Sequence, residues 1–188
     1  MFNAEQDCID LEGNWLTTFD MTQSLEDPVL AGPIVMYLMH RIRQTMRDNR
    51  SPGLIVIDET EPLLRNEHFR RIFFIMLQEF RKLGGVVISV FQRPEAISAQ
   101  GISELIRQQC GTYYLFQNRG ASEQDYREFG LTDREVSFIL GDAQPARKVD
   151  RGLLIKHPHG GDSVILDIDL RPIGKYLGVF SSTRADVA

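Results

Sequence analysis

The sequence predicts an α/β fold in which a parallel sheet is flanked by helices and followed by a terminal β-hairpin. Short apolar runs at residues 54–57, 85–92 and 112–118 are typical of strands. Helical patterns separate these runs, and strands that alternate with helices favour a parallel sheet. Near the end, residues 151–156 and 163–170 are two further apolar runs joined by HPHGGD, which predicts the hairpin.

The first half of the chain carries the clearest helical patterns. After Pro28, apolar residues recur at helical spacing as far as Met46, with arginines between them. Before this helix, residues 14–22 alternate loosely and predict a strand. A second helix is predicted by apolar residues at i, i+3, i+4, i+7, i+8 and i+11, and Gly84 and Gly85 end it: Phe69, Ile72, Phe73, Met76, Leu77 and Phe80.

The second half of the chain continues the pattern of alternating elements. A helix is predicted at residues 98–109. Thr132 and Glu135 form a T-x-x-E capping box, which predicts the start of a short helix. Residues 1–180 are expected to form one domain, and residues 181–188 a flexible tail.

The composition is that of an ordinary globular protein, because 43% of the 188 residues are hydrophobic and 25% are charged. The formal net charge of −5 disfavours binding of nucleic-acid phosphates as the main role. The longest uncharged apolar run, residues 29–39, is shorter than the ~20 residues of a membrane span. Cys8 and Cys110 lack the spacing of a zinc site, so reduced thiols in a cytosolic compartment are expected.

Two carboxylates, Asp58 and Glu59, directly follow the apolar run 54–57. Ligands of open α/β sheets bind where the strands have their carboxyl ends. Two acids there can divide the work of a nucleotide hydrolase, in the manner of a Walker B motif. Asp58 would order a magnesium ion through its waters, and Glu59 would orient or deprotonate an attacking water. Alternatively, the acids simply end the strand and cap the next segment.

Gln92 ends the next predicted strand, residues 85–92, in the same way. If the two strands are neighbours, Gln92 lies beside Asp58 and Glu59 at one edge of the sheet. An amide there can sense a phosphate group or position a water molecule. Alternatively, Gln92 is a solvated loop residue.

Eight segments of the chain occur in an order that is familiar from one family: FDMT, YLMHRI, LIVIDET, EFRKLGG, VISVFQ, YLFQN, YREFGLTDRE and GLLIK followed by SVILDIDL. Together they resemble the carboxyl-terminal half of the type IV secretion ATPases of the VirB-four kind, which include conjugation ATPases. The resemblance extends over residues 19–180. It implies part of a RecA-like P-loop NTPase that uses ATP and Mg²⁺ and powers pilus assembly and substrate transfer.

The resemblance also implies roles for individual residues. Asp58 and Glu59 match the Walker B pair, with Asp58 as the magnesium residue and Glu59 as a catalytic residue. Gln92 matches the catalytic glutamine of the following strand motif. Arg81 and Lys82 match an Arg-Lys motif expected to contact the nucleotide, although cations at a helix end also complement its dipole.

The family further implies partners. Arg147 and Arg151 precede the hairpin strands and are candidates for an arginine finger that reaches the nucleotide of a neighbouring subunit. The expected partners are the amino-terminal part of the same ATPase, other subunits of a hexamer, components of the inner-membrane secretion channel and partner ATPases. The expected location is the bacterial cytoplasm, peripheral to the inner membrane. Nucleic-acid binding is left open.

Two features depart from the family pattern. Thr60 and Glu61 replace the usual alanine and aromatic residue after the acid pair, and no G-x-x-x-x-G-K-[ST] phosphate-binding motif occurs in the 188 residues. We therefore expect the isolated chain to hydrolyse ATP negligibly. The strand that leads into that motif is also missing, so its gap should be closed by the strands at 85–91 and 112–116, by residues 14–19, or by a second copy of the chain.

Two other functions remain compatible with the sequence. One is a motor of the same fold that pumps DNA, such as a coupling protein, which the acidic balance disfavours. The other is a docking module of the secretion apparatus without chemistry. Fold alone does not separate these functions.

Overall fold

The computed structural model divides the chain into two compact units, Met1–Gln109 and Cys110–Ala188. The predicted tail, residues 181–188, lies outside the described residues, so the boundary after residue 180 stays a prediction. Among the helices that are described, none combines the length and the apolar character needed to cross a membrane. The structure describes residues 7–49, 52–99, 101–142 and 151–180.

The first unit combines helices with a two-stranded parallel sheet. The helix predicted after Pro28 is confirmed, and the Asp27 side chain caps it by accepting the Val29 backbone N–H at 2.8 Å. The elements in chain order are α1 (Thr22–Glu26), α2 (Pro28–Asn49), β1 (Leu54–Ile57), α3 (Thr60–Leu64), α4 (Glu67–Glu79), a 3₁₀ turn (Phe80–Leu83), β2 (Val86–Ser89), α5 (Glu95–Ala99) and α6 (Ser103–Gln109).

The amphipathic helix predicted around residues 69–80 is confirmed as α4 and the 3₁₀ turn after it. The helix ends where Gly84 adopts the left-handed conformation, with φ of 76°. Gly85 is required for a different reason. A Cβ atom there would lie 2.6 Å from the Met46 Cε atom and 2.9 Å from the Phe80 Cδ1 atom. The two glycines therefore let the chain turn tightly from the helix into β2.

The parallel pairing of β1 with β2 is confirmed. The register runs from Leu54 opposite Val86 to Ile57 opposite Ser89. The Val90 N–H extends the pairing beyond β2 by donating to the Ile57 carbonyl at 3.0 Å. The carboxyl ends of the two strands therefore lie side by side, as the order of sequence elements predicts.

The sequence predicts a sheet flanked by helices, but one face of β1 and β2 is largely exposed in this unit. Alternate residues along each strand share one face of a sheet, and in this unit one such set remains largely exposed, so helices do not cover that face. The exposed side chains are Leu54, Val56, Val86, Ile88 and Val90.

The second unit contains a three-stranded antiparallel sheet in the order β3-β4-β5. The predicted hairpin is confirmed, since β4 pairs with β5 from Gly152 opposite Asp167 to Lys156 opposite Ser163. The elements in chain order are β3 (Tyr113–Phe116), α7 (Glu123–Arg127), α8 (Asp133–Leu140), β4 (Gly152–Lys156), β5 (Ser163–Asp167) and a 3₁₀ segment (Arg171–Phe180).

The structure corrects the place of the third predicted strand. Instead of extending the parallel sheet, β3 pairs antiparallel with β4, with Tyr113 opposite Lys156. The parallel sheet among the described residues therefore has two strands. A strand can pair with any neighbouring strand whose backbone N–H and C=O groups are in register with its own. Here β4 of the hairpin provides them. Closure of the predicted gap by β2 and β3 pairing with each other is accordingly wrong.

Two further expectations are corrected. Residues 14–20 form no strand, and the Trp15 side chain is 96% exposed, so this segment does not fill a gap in the sheet either. Filling of the gap by a second copy of the chain stays a prediction. The helix expected at residues 98–109 is divided into α5 and α6, because Gly101 takes a left-handed conformation with φ of 67°.

A buried ion pair holds α8 against β4 in the second unit. The Lys156 Nζ atom lies 2.9 Å from Glu135 Oε1, and both side chains are at least nine-tenths buried. Glu135 Oε2 also accepts the Thr132 backbone N–H at 2.7 Å, which confirms the predicted capping box. Burial raises the pKa of Glu135, but hydrogen bonds from Thr132, Ser163 and Lys156 outweigh it and hold this pKa below the usual value.

Candidate active site

The two acids predicted to act in hydrolysis lie directly after β1, where the strand ends. Asp58 and Glu59 are both exposed. Glu59 has φ of 49° and ψ of 55°, and among the described residues it alone has a positive φ without being glycine. For a residue with a side chain this left-handed conformation costs about 1–2 kcal/mol. Such backbone strain is concentrated at functional sites and persists where neighbouring groups hold it in place.

Thr60 supplies much of what holds Glu59 in this conformation. Its side chain is fully buried, and its hydroxyl donates to the Ile57 carbonyl at 3.0 Å. Its backbone N–H donates to the Val90 carbonyl at 3.0 Å. On the other side, the Glu59 N–H donates to Asp58 Oδ1 at 3.0 Å. Thr60 therefore has a clear packing role, although the sequence marks it only as a departure from the family pattern.

Gln92 meets Glu59 at this edge of the sheet, as predicted. Its Nε2 atom donates to Glu59 Oε1 at 3.3 Å. The contact follows from the topology, because β1 and β2 are parallel neighbours and each side chain comes shortly after its strand ends. A carboxylate and an amide thus share one exposed edge, where both can reach a bound ligand or its water.

A second contact joins the same two loops two residues after Glu59 and one residue after Gln92. The Arg93 guanidinium donates to Glu61 Oε1 at 2.8 Å, and Arg65 donates to the same oxygen at 3.2 Å. The hydrogen bond from Arg93 is the main reason that the pKa of Glu61 lies below its usual value. Glu61 is therefore ionised at neutral pH. The sequence signal was present as opposite charges next to the predicted site residues, but it becomes interpretable only once β1 and β2 are known to pair.

The structure does not bring Arg81 and Lys82 to this edge. Both are exposed residues of the 3₁₀ turn before β2, at the amino end of that strand. One strand length, roughly 10 Å, separates them from the carboxyl ends where Glu59 and Gln92 lie. Their position fits the alternative interpretation as cations at a helix end.

The two arginine-finger candidates lie in the second unit or outside the described residues. Arg151 is exposed directly before β4, and its backbone N–H donates to Asp167 Oδ1 at 3.3 Å. Arg147 falls within residues 143–150, which are not described. A role for either residue at a neighbouring subunit stays a prediction.

The chemistry of the donor groups fits magnesium held with a nucleotide. Mg²⁺ prefers oxygen ligands, keeps several waters and binds through one or two carboxylates together with substrate phosphates. Asp58 offers one exposed carboxylate of that kind. Within the described ranges no cluster of three or more His, Cys, Asp or Glu side chains could hold a metal ion by itself. Asp58 therefore suits a metal ion that arrives with phosphate groups.

Comparison with known proteins identifies relatives along the whole chain. The chain is 30% identical to the type IV secretion system protein virB4 of Bartonella quintana over 188 residues, covering 100% of this chain and 23% of that protein. It is 30% identical to the protein virB4 of Agrobacterium tumefaciens over 182 residues, or 96% of this chain and 22% of that protein. A probable conjugal transfer protein of Sinorhizobium fredii, of the TrbE type, is 29% identical over 120 residues, or 62% of this chain and 18% of that protein.

The chain spans less than a quarter of the length of these virB4 relatives, 22% to 23%. No protein-family model matches it. The relatives include secretion proteins and a conjugal transfer protein, and the similarity to virB4 is not confined to the acid pair.

Proposed function

Since the chain is homologous along its full length to the carboxyl-terminal part of the VirB4 secretion proteins, we propose that it forms part of an ATP-hydrolysing motor that energises type IV secretion. The observation that carries this proposal is the contact between Gln92 and Glu59 at the carboxyl ends of two parallel strands. Parallel α/β sheets bind their ligands at that edge. The proposed fold of the complete motor domain is RecA-like.

The proposed roles follow from the chemistry of each side chain. Glu59 orients or deprotonates the water that attacks the terminal phosphate, and Gln92 positions that water and Glu59. Asp58 holds the waters of the magnesium ion. When bound with ATP, Mg²⁺ would neutralise charge that develops on the phosphates. The left-handed backbone conformation of Glu59 fixes the direction in which its side chain leaves the backbone. The carboxylate therefore needs less reorganisation during the reaction.

The remaining elements of the proposal concern partners. The amino-terminal part of the same ATPase would supply the phosphate-binding loop and cover exposed apolar side chains of β1 and β2 such as Val56 and Ile88. Other subunits, in a hexamer, would contribute an arginine such as Arg151 or Arg147. The motor would act in the bacterial cytoplasm at the inner membrane, with the secretion channel and its partner ATPases. It would power pilus assembly and substrate transfer.

The isolated 188-residue chain is expected to turn over ATP negligibly and to bind it weakly. Its sequence contains no G-x-x-x-x-G-K-[ST] motif, so the backbone N–H groups and the lysine that grip phosphates are not supplied. A phosphate-release assay and isothermal titration with ATP and Mg²⁺ check this expectation. Steady turnover by the purified chain that Glu59→Gln abolishes would contradict it.

Substitution of Gln92 by Ala tests the proposed function in the intact protein, in which the proposed phosphate-binding loop precedes this chain. We expect hydrolysis to slow about tenfold while ATP affinity stays unchanged, because water positioning is lost rather than binding. The measurements are steady-state ATPase rates and binding of a fluorescent ATP analogue. Loss of binding with an unchanged rate for the bound nucleotide would contradict the role. Wild-type hydrolysis in both this variant and Glu59→Gln would favour a docking module.

A further inference from the structure

Two loops meet at the carboxyl edge of the parallel strands, and hydrogen bonds join them. The first loop comprises residues 58–61 after β1, and the second comprises residues 90–93 after β2. Backbone bonds join Val90 to the Ile57 carbonyl and Thr60 to the Val90 carbonyl, both at 3.0 Å. Side-chain bonds then join Gln92 to Glu59 at 3.3 Å and Arg93 to Glu61 at 2.8 Å. The ion pair joins the last residues of the two loops.

Gln92 lies between two anchored positions of the second loop. Before it, Val90 is held by backbone bonds, and directly after it Arg93 is held by Glu61. The bond from Gln92 to Glu59 is longer than the Arg93 contact, and its side chain is exposed. The placement of Gln92 therefore depends on how firmly the next residue, Arg93, is held.

Glu61 is suited to provide that anchor. Its side chain is 18% exposed, whereas that of Arg93 is 62% exposed. Glu61 lies in the first turn of α3, so a short helix fixes its backbone. Arg65, four residues after Glu61, binds the same carboxylate oxygen. Among the contacts described, Arg65 does not touch the second loop. Arg65 thus helps to hold Glu61, and only Arg93 carries the constraint across to Gln92.

We propose that the Glu61–Arg93 ion pair is a positioning device for hydrolysis, which holds the loop of residues 90–93 so that Gln92 stays against Glu59. This inference rests on the proposed function of Glu59 and Gln92. It also accounts for the departure of Glu61 from the family pattern, because an acid at this position has a specific partner in Arg93.

Folding stability and reaction rate should respond differently to loss of this pair. An ion pair with one largely exposed partner contributes little to folding stability. A small misplacement of a group that positions water, by contrast, slows a reaction strongly. Loss of the pair should therefore change the rate of hydrolysis while the protein remains folded and continues to bind ATP.

The experiment measures ATP hydrolysis by the intact protein carrying Glu61→Gln, Arg93→Gln, or both substitutions. We expect each single variant to lower kcat about fivefold with KM and Tm unchanged, and the double variant to be no slower than the singles, because all three break one contact. Arg93→Lys should recover part of the loss, since it retains the charge. The matched control is Arg107→Gln, which breaks an exposed ion pair with Glu104 within α6, outside both loops, and should leave kcat within about twofold.

The outcomes separate this inference from the proposed function. If Glu59→Gln abolishes hydrolysis while Glu61→Gln and Arg93→Gln retain the wild-type kcat, the positioning role is wrong and the proposed function stands. If the losses of kcat in the two single variants add in the double variant, Glu61 and Arg93 act independently. If Tm falls together with kcat, the pair has a structural role. Either result overturns the inference. If Glu59→Gln itself hydrolyses ATP normally, the proposed function fails and this inference fails with it.

Discussion

Replacement of Glu59 by Gln should slow steady-state ATP hydrolysis by the intact protein at least about 100-fold, the usual contribution of a positioned general base. Affinity for ATP should change by less than about twofold, because the amide has the same shape and the phosphate-binding groups are untouched. The measurements are phosphate release at saturating ATP and equilibrium binding of ATP in the presence of Mg²⁺. This is the largest kinetic effect that the site geometry predicts.

A matched control for this substitution is Glu104→Gln. Glu104 is an exposed glutamate of the same unit that pairs with Arg107 within α6, and it belongs to neither loop of the candidate site. The Glu104→Gln protein should hydrolyse ATP at the wild-type rate. Equal rates for Glu59→Gln and Glu104→Gln would remove the catalytic role of Glu59, and loss of ATP binding in Glu59→Gln alone would reassign it to nucleotide binding.

Substitution of Lys156 by Met should have the largest effect on stability, lowering the unfolding free energy of the second unit by about 3–5 kcal/mol. The reason is that Glu135 would remain buried and ionised without its cationic partner. The effect should be local. Hydrogen exchange of the α8 and β4 backbone amides, measured by mass spectrometry, would report it directly, together with urea denaturation followed by circular dichroism.

Two further variants test the cause of this loss. Lys156→Met combined with Glu135→Gln should recover part of the stability, because the buried charge is gone and glutamine still serves in a capping box. Lys82→Met, at an exposed lysine, should change the unfolding free energy by less than about 0.5 kcal/mol. A double variant that is less stable than Lys156→Met alone would contradict the explanation by an unpaired charge.

The features of the fold that local sequence specifies could be predicted. The apolar spacing from Phe69 to Phe80 and the glycines after it specify α4 and its end, and Thr132 with Glu135 specifies the start of α8. The neighbouring positions of Glu59 and Gln92 could be predicted as well. They require only that two strands joined by a helix be parallel and adjacent, which is the usual topology of such units.

The features that depend on distant pairing could not be predicted. The apolar pattern of β3 fits either sheet, and its antiparallel pairing with β4 is decided by a strand more than thirty residues later. Residues 14–22 alternate like a strand but pair with no strand among the described residues, and Trp15 is left exposed. The contact between Glu61 and Arg93 joins residues 32 positions apart, so it requires the strand register as well as the sequence.

Single-turnover hydrolysis isolates the chemical step in which we propose that Glu59 acts, the cleavage of bound ATP. The intact protein is mixed with less than one equivalent of ATP and with Mg²⁺, so that product release does not limit the measurement. If Glu59 acts in this step, the Glu59→Gln protein will hold ATP uncleaved over times in which the wild-type protein converts it to ADP and phosphate. Conversion at the wild-type rate by the Glu59→Gln protein would show that Glu59 has no role in hydrolysis.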